Sequence, residues 1–206
     1  AYRSYASNLV SGDTNGVEDI FVTDVATGTT TRISTASDGT QGDGQSAAPS
    51  ISSDGRYVAY SSAASNLVSG DTNGTWDIFV TDTQTGTTTR ISTATGGAEG
   101  GNASSSPSIS ADGRYVAYLS YASNLVGGDT NAHADIFVTD TLTGTTTRVG
   151  TASDGTQGNG DSASPYISAD GRYVAYTSSA SNLVSGDTNG ASDIFVTDTQ
   201  TGSTVR

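Results

Sequence analysis

Residues Ser65 to Arg90 read SNLVSGDTNGTWDIFVTDTQTGTTTR, and the whole chain is a variation on them. The central run Asp77-Ile78-Phe79-Val80-Thr81-Asp82 is β-branched and aromatic, which favours a strand. Thr83-Gln84-Thr85-Gly86 follows as a turn and Thr87-Thr88-Thr89-Arg90 as a second strand. The GDTN core of the stretch begins at Gly12, Gly70, Gly128 and Gly186, a constant step of 58 residues. A second marker, DGRYVAY, starts at Asp54, Asp112 and Asp170, and the three prolines, Pro49, Pro107 and Pro165, keep the same step. A fixed period of this length marks a tandem array.

One repeat can be followed from Pro49. Pro49 to Ser52 is read as strand A, opened by a residue that fixes φ and donates no hydrogen bond. Asp54-Gly55 supplies a hairpin turn, and Tyr57 to Ser61 is strand B. Both side-chain sets of strand B are apolar or aromatic, so the strand is expected to be covered on both faces. A long loop from Ser62 to Trp76 leads to strand C, Ile78 to Thr81. Strand D, Thr87 to Ser92, is polar enough for an outer edge. Four antiparallel strands per repeat, with no helical period, predict an all-β fold: a β-propeller of four-stranded blades rather than a sandwich or a parallel β-helix. Residues 1–206 then form one tandem-repeat region of about three and a half blades, an incomplete ring. Ala1-Tyr2 aligns with Ala59-Tyr60, and Arg206 with Arg148, so both ends are expected to fall within a blade.

The motif Ser-x-Asp-Gly-Arg-Tyr-Val-Ala-Tyr, followed by Asp-Ile-Phe-Val-Thr-Asp and Thr-Gly-Thr-Thr-Thr-Arg, resembles the TolB-like (WD-type) propeller repeat of bacterial secreted and surface proteins. That repeat carries a Ser-Pro-Asp-Gly turn, an apolar strand and an Asp-Ile-Tyr-Val strand. The resemblance covers every repeat. It departs at Ser53, Ala111 and Ala169, where the family often has proline, and in the length of the B-to-C loop. What it implies is a blade, not an activity.

The B-to-C loops carry the candidate chemistry. Asp13, Asn15 and Asp19 recur as Asp71, Asn73 and Asp77, as Asp129, Asn131 and Asp135, and as Asp187, Asn189 and Asp193. This spacing around a glycine resembles part of an EF-hand calcium loop, and calcium is the expected ion at these twelve residues. Ser11, Ser69, Gly127 and Ser185 stand where that loop begins with aspartate, and Val22, Val80, Val138 and Val196 where it ends with glutamate. The competing reading is a turn closed by Asx hydrogen bonds. Ala132 replaces the turn glycine in the third copy, which is expected to be the weakest site. Among the other acids, Asp38, Asp43, Glu99, Asp154 and Asp161 are read as solvated loop residues. Asp24, Asp82, Asp140 and Asp198 are expected to cap turns or pair with arginine.

Charge and composition narrow the function. The net charge is −13, and the eight basic residues are all arginine. An acidic chain without a basic patch disfavours nucleic acid and anionic membranes as partners. There is no cysteine and no apolar segment approaching the roughly 20 residues of a membrane span. The chain opens on AYRSYASN, without the basic and apolar run of a signal peptide. The one histidine, His133, lies in a variable loop position and is expected to be exposed rather than catalytic. No catalytic or cofactor residue is assigned, and the protein is expected not to be an enzyme. The reading is a calcium-stabilised scaffold at a bacterial cell surface or outside the cell, self-associating into filaments through open blade edges or belonging to a longer parent chain. The alternative is a module that binds glycan or protein on its acidic loop face, through the variable pairs Val17-Glu18, Thr75-Trp76, His133-Ala134 and Ala191-Ser192.

Overall fold

The computed structural model describes residues 1–206. Four antiparallel sheets succeed one another along the chain without closing a ring. The first has three strands, β1 (Tyr2–Ser4), β2 (Asp19–Thr23) and β3 (Thr30–Arg32). The second has four, β4 (Ser46–Ile51), β5 (Tyr57–Ser62), β6 (Asp77–Asp82) and β7 (Thr88–Arg90). The third comprises β8 (Ser104–Ile109), β9 (Tyr115–Ser120), β10 (Asp135–Asp140) and β11 (Thr145–Arg148), and the fourth β12 (Ser162–Ile167), β13 (Tyr173–Ser178), β14 (Asp193–Asp198) and β15 (Thr204–Val205). Within each sheet the strands pair in chain order, the meander of a propeller blade.

One element begins earlier than its sequence suggests. The first strand of the second sheet starts at Ser46, three residues before the proline. It pairs Ser46 with Ser62 and Ala47 with Ser61, then shifts register before Ser50 meets Ala59. Pro49 sits in that bulge, where no ladder bond needs its missing N–H. The residue ahead of each proline, Ala48, Ser106 or Ser164, adopts a positive φ of 50°, 56° or 52°. Proline therefore marks a bend inside the strand and not its start.

The core lies between sheets. Val58, Ala59 and Tyr60 of β5 are fully buried, as expected for a strand covered on both faces. Val58, Tyr60 and Phe79 pack with Leu67 against Ile20 and Ile33 of the preceding repeat. Ala59, Ile78 and Val80 pack against Val116, Tyr118 and Phe137 of the following one. Each sheet carries the same stacked pair, Tyr2–Phe21, Tyr60–Phe79, Tyr118–Phe137 and Tyr176–Phe195, with ring centroids 6.0 Å apart. The first strand of a sheet supplies much of the contact with its predecessor: β8 packs on β4, β5 and β6.

Polar groups cross the same seams. The Tyr60 hydroxyl lies 3.2 Å from that of Thr81, which is 2.8 Å from Thr88 Oγ1 and donates to the carbonyl of Ile33 in the previous repeat. The Asp-Gly turns lock the seam from outside. Gly113, at φ 75°, lies over the Tyr57 ring of the sheet before it, and a Cβ there would come 2.2 Å from Tyr57 Cδ2. Gly55 has a similar φ of 73° but open space around it. Gly113→Ala is therefore expected to lower the unfolding free energy by about 3 kcal/mol, combining overpacking with left-handed strain, and Gly55→Ala by about 1 kcal/mol. Urea denaturation of the two variants checks this; equal losses would mean that the turn does not key the seam.

Candidate functional site: four carboxylate clasps

The acidic loops and the D-to-A connections meet on one side of each sheet. In the second repeat Asn73 Oδ1 accepts the N–H of Thr75, closing an Asx turn whose Gly74 has φ 65°. The amide nitrogen of Asn73 donates to Asp77 Oδ2 at 2.8 Å and to the Gly100 carbonyl at 2.9 Å. Asp77, at the head of β6, is fully buried, and its Oδ1 accepts the Ser92 hydroxyl at 2.5 Å. A buried carboxylate left unpaired is costly, and these donors answer that cost.

The central group is an arginine that the loop motif does not contain. Arg90 Nη1 stands 3.5 Å from Asp71 Oδ1, 3.8 Å from Asp77 Oδ2 and 2.5 Å from Glu99 Oε1. In the other repeats Arg32 lies between Asp13 and Asp19, Arg148 between Asp129 and Asp135, and Arg206 between Asp187 and Asp193. The twelve residues singled out in the loops are thus gathered into four clusters, each with a guanidinium among the carboxylates. The asparagines point amide nitrogen, not oxygen, at their aspartates: Asn15 to Asp19, Asn131 to Asp135 and Asn189 to Asp193. The missed signal was an arginine 13 residues after the second aspartate in every repeat.

Glu99 also departs from its expected place in a solvated loop. It accepts hydrogen bonds from the Thr72 N–H and hydroxyl and from the Asn73 N–H, in addition to its contact with Arg90. One carboxylate oxygen from each of Asp71, Asp77 and Glu99 lies within 4.8 Å of the others, forming an acidic cluster that could hold a metal ion. Gln41 and Gln157 occupy the corresponding positions, where each accepts from Arg32 or Arg148 at 3.0 Å. Of the remaining loop acids, Asp43 accepts from Ser65, while Asp38 and Asp154 bond only their own turns, at Thr40 and Thr156. Asp161 accepts the Ala134 N–H and lies 3.1 Å from Nδ1 of His133, whose side chain is partly exposed. Trp76 is half-buried, and its carbonyl accepts the Ser104 N–H.

On the opposite side of each sheet, Asp82, Asp140 and Asp198 pair with Arg56, Arg114 and Arg172 at 2.8 Å while capping the C-to-D turn. Asp24 caps its turn through Ala26 and Thr27. Both expected roles are present. Ala132 holds the left-handed conformation, φ 58°, of the glycine it replaces.

The second cluster divides its acids. Burial, and then the neighbouring Asp77 charge, push Asp71 up to about 6. Burial also opposes ionisation of Glu99, but Thr72, Arg90 and Asn73 outweigh it and hold the group at about 2. The folded state therefore favours protonated Asp71, a contribution present below pH 3.8 and lost as pH rises through about 6. Glu99 acts oppositely: its contribution is present above pH 4.5 and lost as pH falls towards about 2. Thermal unfolding across pH 3 to 8 is expected to show Asp71→Asn losing part of the decline between pH 4 and 6. An unchanged profile would mean that Asp71 does not titrate in that window.

No family model and no curated protein matches this chain. Solved structures do. TolB from Acinetobacter baumannii aligns with a TM-score of 0.55 at 20% identity, covering 92% of this chain and 37% of that one. The tricorn protease aligns with a TM-score of 0.54 at 20% identity, covering 90% and 16%. An oligogalacturonate lyase in complex with manganese gives 0.52 at 14%, covering 91% and 46%. The chain thus spans less than half the length of each. At these identities the likeness is one of fold, and the fold is that of TolB-like and tricorn β-propeller blades repeated in tandem.

Proposed function

We propose that this chain is a non-enzymatic β-propeller scaffold of a bacterial cell surface or extracellular structure, assembling through sheet surfaces that its own repeats leave uncovered. The supporting observation is Ile194. It is 59% exposed, whereas Ile20, Ile78 and Ile136 at the same position are fully buried under the following sheet. Tyr173 shares that open face. The occupant that fits is a further sheet of the same kind, from a second copy or from a longer parent chain, because the next repeat is what covers the equivalent face of the second and third sheets. The repeated carboxylates support a structural role, since arginine, serine and asparagine engage them as internal ties. Sedimentation velocity of the intact chain and of Ile194→Asp tests the reading. Concentration-dependent association that the variant loses, at unchanged melting temperature, is expected; a wild type that stays monomeric throughout would overturn it.

Calcium at the second cluster is the finer part of the proposal, and Glu99 is what favours it. Three carboxylates there face one guanidinium, whereas the first and third clusters have two carboxylates and a neutral glutamine. The surplus negative charge and an all-oxygen carboxylate set suit a hard divalent ion, with Arg90 yielding part of its contacts. Calorimetric titration with calcium chloride is expected to show a site that Glu99→Gln removes. Binding unchanged in that variant would mean the ion lies elsewhere.

A further inference from the structure

The third clasp differs from the first two at one residue. Ser34 donates to Asp19 Oδ1 and accepts the N–H of Ile20; Ser92 does the same for Asp77 and Ile78. Gly150 occupies that position in the third repeat. Asp135 is fully buried like its counterparts, yet its Oδ1 has no protein hydrogen-bond partner. Its other oxygen is engaged by Asn131 and Arg148. The space beside Gly150 is real. A Cβ built there would lie 3.4 Å from the Ile136 nitrogen, 3.6 Å from Asp135 Oδ1 and 3.6 Å from Ser162 Oγ, with nothing closer.

We propose that this socket is a binding site for a single water molecule that replaces the missing serine hydroxyl. The three groups facing it define the guest. Asp135 Oδ1 accepts, the Ile136 N–H donates, and Ser162 Oγ, which gives its own proton to Ser178, can accept. A molecule donating twice and accepting once satisfies all three, which matches the usual valence of a buried water. A metal cation does not fit, because the Ile136 N–H presents its positive end to the same space. The site is separate from the carboxylate surface of Asp71, Asp77 and Glu99, so neither assignment depends on the other.

A high-resolution crystal structure of the intact chain tests the proposal directly. The expected result is one ordered water within hydrogen-bond distance of Asp135 Oδ1 and Ile136 N, displaced by the side-chain hydroxyl in Gly150→Ser. An empty socket, or a guest that leaves Asp135 Oδ1 unbonded, would overturn it. Thermal melts give a second reading. Gly150→Ser, which supplies the hydroxyl covalently, is expected to melt about 2–6 °C above Gly150→Ala, which crowds the space without a polar atom. Equal melting temperatures would show that Asp135 does not need the partner.

Discussion

A carboxylate shielded from bulk solvent stands at the head of strand C in repeat after repeat: Asp19, Asp77 and Asp135 are all fully buried. An ion in that position cannot be left alone, and the surrounding architecture answers it. In the second repeat the loop before the strand sends an asparagine amide, the fourth strand sends an arginine, and the connection to the next sheet sends a serine hydroxyl. The loop before the strand and the stretch Arg90 to Ser92 are thereby fixed to one point. Burying such a group contributes little net stability compared with a well-packed apolar core, but it penalises any arrangement that leaves it unpaired. The long acidic loop keeps its shape for this reason.

Between sheets the logic is different. Apolar faces do the packing, and the hydroxyl relay from tyrosine through two threonines carries a few polar groups across the seam. Burial pushes the Tyr60 and Tyr118 hydroxyls up to about 12, so both stay protonated at any physiological pH. The seam is a fixed joint, insensitive to conditions that would alter the clasps.

Much of this was legible in the residues. The period, the Asp-Gly turns and the unbroken apolar and aromatic run Tyr57 to Tyr60 lead to sheets covered on both faces. The partners of the acidic loop were less accessible. Arg90 reaches Asp77 because Phe79 and Arg90 share a register across β6 and β7, and Glu99 arrives from a connection lying beyond that strand. A motif read along the chain sees neighbours in sequence, whereas these are neighbours across a ladder. The place of the proline within its strand is hidden from the sequence for a related reason. Its missing N–H suits a strand opening and a bulge equally well, and only the pairing of Ala47 with Ser61 distinguishes them.

The sheets are nearly interchangeable, and that bears on how the chain folds. Hydrogen bonds across a seam join residues 48 to 59 positions apart, about one repeat, so assembly can proceed by nearest-neighbour addition from any nucleus. The same near-identity lets a sheet be accepted in the wrong slot, the characteristic error of repeat proteins. Glu99, Gly150 and Tyr166, which replace glutamine, serine and serine of the other repeats, are among the few residues by which one copy is distinguished from the next. Making the copies more alike would erase those address marks and favour frame-shifted chains over correctly ordered ones.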